Sequence, residues 1–185
     1  MRVIAGEFKG RRLVTPRGHR TRPTADQVRT ATLDALTPWL PGARMLDLFA
    51  GAGGVGLEAV SRGAQHATFV ERDAQAIRAL ESNITELQVG ARARVLRASV
   101  SRALGILESE GARFAIVFLD PPYEDAGAVT TTLDALGAGA LVAPEGVVVA
   151  QHLTKQPPPE QVGALRVTRT RRFGETTLTF LRPGA

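Results

Sequence analysis

The residues with the clearest chemical meaning form the stretch Asp120-Pro121-Pro122-Tyr123, which follows the apolar segment 114–119. Two prolines stiffen the backbone and remove two N–H donors, so the stretch presents carbonyl oxygens beside the Asp120 carboxylate. A cluster that contains only acceptors, next to an aromatic ring, suits a planar base with an exocyclic amine. Acceptors that bind both amine hydrogens localise the nitrogen lone pair and help to remove a proton, and Tyr123 would stack on the extruded base. All four residues are therefore predicted to be catalytic.

A second stretch, residues 45–56, combines a strand, a glycine-rich turn and the start of a helix. Gly51, Gly53 and Gly56 have the G-x-G-x-x-G spacing, which lets a ligand approach the helix N-terminus closely. Glu71 ends the next strand, 20 residues after Gly51, where an acidic side chain binds ribose hydroxyls. Asp47 would face a pyrophosphate badly but suits a cationic or amino-bearing ligand. The pattern therefore argues against NAD.

Residues 46–53, Leu-Asp-Leu-Phe-Ala-Gly-Ala-Gly, resemble the first motif of class I methyltransferases, which use S-adenosylmethionine (SAM). The resemblance implies SAM as cofactor and S-adenosylhomocysteine as product, with Asp47 near the amino end and Glu71 on the ribose. Phe49 is a further candidate contact, with ordinary core packing as the alternative. Within that fold, the motif at Asp120 resembles the one found in enzymes that methylate amino groups of nucleobases or, rarely, glutamine amides.

The elements that must position these residues alternate between strand and helix. An alternation of short apolar strands with helices implies a parallel sheet covered on both faces. We therefore predict an α/β fold with a doubly wound, mostly parallel, seven-stranded sheet that ends in an antiparallel hairpin. The strands are expected near residues 44–49, 67–71, 93–97, 114–119, 146–151, 165–171 and 175–182, and the intervening helices near 54–63, 74–87, 99–109 and 125–136.

The composition of the 185 residues narrows the function classes further. The chain has no cysteine, which excludes disulfides, Cys-ligated metals and thiolate nucleophiles, and its three histidines lack metal-like spacing. No metal is therefore expected. No apolar run approaches the roughly 20 residues that span a bilayer, and the N-terminal residues 1–7 lack the apolar core of a signal peptide. We expect a cytoplasmic protein with no membrane partner.

Positive charge is concentrated at the N-terminus. Residues 1–30 contain eight basic and two acidic side chains, whereas the whole chain carries only +5. We predict a β-hairpin within residues 2–15, a loop over 16–23 and a helix capped by Thr24, together forming a basic extension over residues 1–43 in front of a catalytic domain over 44–185. A basic arm on a near-neutral body suggests a polyanionic partner, and 43 residues suit an arm that grips RNA phosphates by shape.

The N-terminal residues 2–13 and 22–29, together with the closing residues 172–180, closely resemble the RsmD family of bacterial 16S rRNA (guanine(966)-N(2))-methyltransferases, in which the number denotes the nucleotide. The likeness runs from Arg2 to Arg182. It implies a substrate in 16S rRNA, within the 30S subunit or an assembly intermediate, with ribosomal proteins completing the binding surface. A monomer is expected.

The resemblance also implies roles for single residues. SAM would lie over Asp47, Gly51 and Gly53, and the start of the first helix would close over its methionine end, with Arg29 near the SAM carboxylate. Ser99 stands where an Asp or Asn commonly meets the adenine amine. The residues that would contact SAM in this arrangement include Thr24, and those that would meet rRNA phosphates are Lys9, Arg11, Arg12, Arg20 and Arg22.

Three other functions remain open on the sequence alone. The residues themselves support only an exocyclic amine on a planar ring, so an adenine-N6 methyltransferase acting on DNA or RNA is the first alternative. A non-catalytic ribosome-assembly factor that retains affinity for SAM is an alternative from another class. A nicotinamide dehydrogenase is the weakest, and binding of NAD rather than SAM would favour it.

Overall fold

The computed structural model describes residues 1–16, 23–125 and 127–184. Over these ranges the chain forms five α-helices and eight strands. In chain order they are α1 (Pro23–Leu36), β1 (Arg44–Leu48), α2 (Gly54–Ser61), β2 (His66–Glu71), α3 (Ala74–Glu86), β3 (Ala93–Arg97), α4 (Val100–Ser109), β4 (Phe114–Leu119), α5 (Ala128–Ala138), β5 (Val142–Leu153), β6 (Gln161–Val162), β7 (Leu165–Phe173) and β8 (Thr176–Pro183). None of the helices described is long and apolar enough to cross a membrane.

All eight strands belong to one sheet, in the order β3-β2-β1-β4-β5-β8-β7-β6. The first five pair in parallel, and β8, β7 and β6 continue the sheet in antiparallel pairs. Chain order reverses between β1 and β4, which lie side by side. Ligands of open α/β sheets bind outside the carboxyl ends of the strands at such a reversal, so the topology identifies where a site should be.

Alternate residues of the strands pack into separate cores on the two faces of the sheet. Leu46, Val117 and Leu119 face a core that α4 and α5 cover. Their neighbours Met45 and Ile116 face the opposite core, which α1 covers. A period of two along each strand with apolar residues on both faces is what a sheet buried on both sides requires.

The predicted fold class is confirmed, with differences in detail. The sheet has eight described strands rather than seven, because the two-residue strand β6 adds to its edge; a strand so short has no periodicity to recognise in a sequence. Helix α1 begins at Pro23, which suits the first helical position because proline lacks an N–H. Thr24 therefore lies inside the first turn instead of capping it.

The predicted N-terminal hairpin is reduced to a single antiparallel bridge between Arg2 and Arg12. The backbone N–H groups of Ile4 and Ala5 donate to the Glu58 carboxylate, at 2.8 and 2.9 Å, so they are unavailable for a strand ladder. The segment is nonetheless firmly packed, because its apolar side chains are buried against α2, α3 and β2; these are Val3, Phe8 and Leu13.

Candidate active site

Three carboxylates converge at the carboxyl ends of the central strands. Asp47 lies near the end of β1, Glu71 ends β2, and Asp120 directly follows β4. Because β1 pairs in parallel with both β2 and β4, the three carboxylates lie at the same edge of the sheet. The structure thus brings the two predicted motifs together at the reversal point of the sheet.

Asp47 is held in a buried position by the start of α2. Its Oδ2 accepts a hydrogen bond from the Gly56 N–H at 2.9 Å. Burial raises the pKa of Asp47 to about 7; the hydrogen bond from Gly56 opposes this, and the negative charges of Asp120 and Glu71 add to it. A Cβ on Gly56 would lie 2.3 Å from the Phe69 ring, so only glycine allows this close approach.

Glu71 joins the glycine-rich turn to the corner between β2 and α3. One carboxylate oxygen accepts from the Gly51 N–H at 2.8 Å, and the other accepts from the N–H groups of Arg72 and Asp73 at 2.7 and 2.8 Å. Asp73 in turn caps α3 by accepting from Gln75 and Ala76. The Glu71 carboxylate is therefore fixed in place by three backbone donors.

The turn itself has an unusual backbone. Gly51 and Gly53 have φ angles of 56° and 82°, in the left-handed region that favours glycine, and Gly53 directly precedes α2. Phe49 has a φ of 61° although it carries a side chain, which costs about 1–2 kcal/mol. Packing of its ring against the core under α4 and α5 holds this conformation. Such strain at a strand end beside a site is typical of functional backbone.

The Asp-Pro-Pro-Tyr loop has few internal partners. Burial raises the pKa of Asp120 to about 7, and within the described parts of the chain no side-chain or backbone donor is bonded to its carboxylate. Tyr123 is 44% exposed, and its hydroxyl lies 2.8 Å from the Thr176 hydroxyl at the start of β8. A cavity of about 100 Å³ adjoins Pro121, Pro122 and Tyr123 on the side of β5.

Arg29 of α1 is directed toward the start of α2. Its Nη2 donates to the Arg2 carbonyl at 2.8 Å and lies 3.1 Å from Asp26. Its Nε and Nη1 are buried and have no hydrogen-bond partner among the residues described. Nη1 lies 3.3 Å from where a Cβ on Gly54 would be. Burial lowers the pKa of this guanidinium, against the pull of Asp26 and Glu58, so the site carries a cation whose donors are only partly used.

The remaining predicted contacts are placed less centrally. Ser99 is exposed and caps α4, with its Oγ accepting from the Arg102 N–H at 3.4 Å. The side chain of Thr24 and the whole of Arg20 and Arg22 lie outside the described residues. The other predicted RNA contacts are exposed on the N-terminal segment; these are Lys9, Arg11 and Arg12. Arg11 is paired with Glu86 at 3.0 Å.

Two buried polar residues that the sequence analysis missed hold the N-terminal segment against the site. Asn83 of α3 donates to the carbonyls of Val14 and Ala52 and accepts from the Val14 N–H, so it links that segment to the glycine-rich turn. Glu58 of α2 anchors Ile4 and Ala5. Glu58 could have been recognised as a charged residue within the otherwise apolar helix α2, whereas Asn83 lies among other polar residues of α3 and gave no such signal.

Residues 1–182 match the family described as "Conserved hypothetical protein 95", which is the RsmD family. The chain belongs to the RsmD family. The resemblance noted in the sequence is therefore confirmed over almost the whole chain.

Individual relatives agree with this assignment. The "Putative rRNA methyltransferase YlbH" of Bacillus subtilis is 40% identical over 178 residues, which cover 95% of each chain. The "Ribosomal RNA small subunit methyltransferase D" of Escherichia coli is 36% identical over 151 residues, 82% of this chain and 74% of that protein. The solved structure titled "Putative methyltransferase yhhF from Escherichia coli" has a TM-score of 0.86 and 32% identity, and the match covers 100% of this chain and 98% of that one.

Proposed function

We propose that this protein transfers a methyl group from SAM to the exocyclic N2 amine of a guanine in 16S rRNA. Membership of the RsmD family makes it a SAM-dependent rRNA methyltransferase. Guanine and its N2 amine are inferred from the RsmD family, whereas the roles of single residues are inferred from the geometry of this site. The observation that carries these roles is Asp120, a half-buried carboxylate with a raised pKa and no described donor, close to the glycine-rich turn where Asp47 and Glu71 are already hydrogen-bonded.

The chemistry of the donor set at the glycine-rich turn fits SAM. SAM carries an ammonium group, a sulfonium and a ribose but no phosphate, and the turn offers carboxylates in place of phosphate-binding cations. Asp47 would attract the ammonium end, and Glu71 would accept the ribose hydroxyls. Gly51 and Gly53 would let the ligand approach the backbone, with Phe49 alongside.

Arg29 suits the other end of the methionine portion. Its Nη1 has no partner among the described residues and lies near the start of α2, so it would donate to the SAM carboxylate, and the positive charge of the guanidinium would attract that group. The first turn of α1, including Thr24, would close over this end. The adenine ring would extend toward α4, where Ser99 offers a hydroxyl.

The Asp-Pro-Pro-Tyr loop would hold the guanine. Asp120 and the backbone carbonyl beside Pro121 would accept the two N2 hydrogens, while Pro122 stiffens the loop and Tyr123 stacks on the base. SAM would supply the methyl group to the N2 lone pair, and the electron pair of the broken carbon–sulfur bond would stay on sulfur, giving S-adenosylhomocysteine. The surplus N2 proton passes to Asp120, and a pKa of about 7 suits a group that accepts a proton at neutral pH.

The N-terminal extension, residues 1–43, would grip the rRNA. Lys9, Arg11 and Arg12 expose their charges on a segment anchored to the cofactor side of the site, and Arg20 and Arg22 follow in the chain. We propose that the protein acts as a monomer on the 30S subunit or an assembly intermediate, where ribosomal proteins shape the rRNA. That substrate would place it in the cytoplasm.

The test measures transfer of labelled methyl from SAM into unmethylated 30S subunits, naked 16S rRNA and duplex DNA, followed by identification of the modified nucleoside. We expect N2-methylguanosine at one site in the subunit or the rRNA. N6-methyladenosine, or label in DNA, would overturn the proposed base while leaving the site chemistry in place. SAM binding without transfer to any substrate would favour a non-catalytic assembly factor.

A further inference from the structure

Four arginines lie on one face of the hairpin formed by β7 and β8. Arg166 pairs with Arg182, Arg169 with Phe180, and Arg171 with Leu178. Because residues directly opposite each other in a sheet share a face, and alternate residues along β8 do too, Arg166, Arg169, Arg171 and Arg182 point the same way. We call these four residues the arginine face.

A bulge produces this alignment. The register shifts between Val167 and Arg169. Without the extra residue, Arg166 and Arg169 would lie on opposite faces, because they are separated by an odd number of positions. The arginines are unevenly spaced in the sequence, but the bulge places them in a regular row on one face of the hairpin.

Aromatic rings support three of these guanidinium groups. Arg169 lies over the Phe180 ring at 5.9 Å, and Arg171 lies over the Phe173 ring at 5.5 Å. Arg182 lies over the Trp39 ring at 5.7 Å. Stacking holds a planar guanidinium in a fixed orientation and leaves its N–H edges free to bind an anion in two-point fashion.

The charge of the arginine face is only partly compensated. Asp26 and Asp34 of α1 line a cavity together with Arg171, but they form ion pairs with Arg29 and Arg62. Arg182 is paired with Glu145 at 3.0 Å, and Arg166 donates to the neutral side chain of Gln161. No carboxylate within the described parts of the chain forms an ion pair with Arg166, Arg169 or Arg171. Both Arg166 and Arg169 are exposed. The row is thus complementary to a polyanion.

The arginine face begins next to the Asp-Pro-Pro-Tyr loop. The Tyr123 hydroxyl lies 2.8 Å from the hydroxyl of Thr176, which pairs with Phe173 across the hairpin. Arg171 and Arg169 follow Phe173 at steps of about 7 Å, a spacing similar to that of successive phosphates in a single strand. An RNA strand whose target base enters the active site would therefore have its next phosphates along this row of arginines.

We propose that the arginine face binds the sugar-phosphate backbone of the rRNA segment that flanks the target base. It would be a second RNA surface, on the opposite side of the active site from the basic N-terminal segment. This inference rests on the proposed function, because it takes rRNA as the substrate. An RNA backbone is the favoured occupant because the surface offers free guanidinium edges rather than an apolar patch.

The test compares the variant Arg169→Gln/Arg171→Gln with a control of equal charge change, Arg78→Gln/Arg113→Gln. Both control residues are exposed, and Arg113 directly precedes β4, at the end of that strand far from Asp120. Binding to naked 16S rRNA and to 30S particles is measured over a salt series. We expect about tenfold weaker binding for the first variant. The slope of the logarithm of the binding constant against the logarithm of the salt concentration should be smaller in magnitude by about 1.4. Each phosphate of single-stranded RNA that is no longer neutralised reduces this slope by about 0.7. Affinity for SAM should stay unchanged.

The variant Arg169→Lys/Arg171→Lys separates charge from folding. It should keep the wild-type salt slope and bind with reduced affinity, because lysine lacks the two-point geometry. Equal behaviour of the glutamine variant and its control would overturn the proposal. A defect seen with 30S particles but not with naked rRNA would also overturn it and indicate a ribosomal protein at this surface. Methyl transfer by the wild-type protein, measured in parallel, tests the proposed function separately.

Discussion

The two halves of the active site differ in how completely the free protein assembles them. On the cofactor side, Glu71 accepts three backbone hydrogen bonds and Asp47 accepts one. On the substrate side, the carboxylate of Asp120 has no described donor, and Tyr123 is partly exposed. Both aspartates nevertheless have a pKa near 7, because burial outweighs the single hydrogen bond at Asp47.

This difference suggests a division of labour. A cofactor site whose carboxylates are already oriented loses little entropy when SAM binds. A substrate site with an unsatisfied acceptor keeps its strongest interaction for the amine, and the interaction grows as positive charge develops on the nitrogen. Binding energy that appears only in the transition state raises the rate of reaction instead of the affinity for substrate.

Among the variants that test this difference between the two halves, we expect the largest effect from Asp120→Asn. The substitution preserves volume but replaces one acceptor oxygen with an NH2 group that repels the amine and cannot take its proton. We expect the turnover number for methyl transfer to fall about 10²–10⁴-fold while affinity for SAM, measured by calorimetry, stays within about twofold of the wild type.

Asp134→Asn, an exposed carboxylate on α5, is the matched control. Turnover by Asp120→Asn within tenfold of this control would remove the assigned role. A parallel loss of SAM affinity would show that the two halves are not separate.

The sequence predicted the cofactor half better than the connections around it. Glycines with left-handed φ angles and an acid at the next strand end are local features, and Gly51, Gly53 and Glu71 lie where their spacing indicated. Asn83 and Glu58 form hydrogen bonds with residues 69 and 53 positions away in the sequence. Their partners therefore could not be predicted from the residues near them. The alignment of Arg166 with Arg169 likewise depends on a register that only pairing with β8 reveals.

A smaller effect is expected from Glu71→Gln, which weakens the preassembly of the cofactor half. Its amide can accept through only one oxygen, so at least one of the three backbone donors loses its partner and the ribose loses a charged acceptor. We expect SAM binding to weaken by about 1–3 kcal/mol, measured by calorimetry.

The turnover number of Glu71→Gln at saturating SAM should change less than that of Asp120→Asn, since the substrate half is intact. Glu108→Gln, on the exposed side of α4, controls for loss of a carboxylate. SAM affinity equal to that control would show that Glu71 supports only the turn.

The smallest expected effect is on the pH dependence of the free energy of unfolding. It tests whether the hydrogen bond from Gly56 makes Asp47 titrate differently from Asp120. Both carboxyls have a folded-state pKa near 7, above the usual value of 3.8. Between those values the folded protein binds more protons than the unfolded chain, so stability from these groups is fully present below about pH 4 and is lost as the pH rises through 7. The slope is on the order of 1 kcal/mol per pH unit for each carboxyl.

Urea unfolding of the SAM-free protein at pH 5 and pH 8 measures this loss. Differences between each variant and the wild type cancel the histidines, whose lowered pKa values act in the opposite direction. We expect Asp47→Asn and Asp120→Asn each to reduce the loss of stability, and the double variant to reduce it further. If only Asp120→Asn did so, the Gly56 N–H would offset the burial of Asp47 in full, and the two halves would differ in electrostatics as well as in hydrogen bonding.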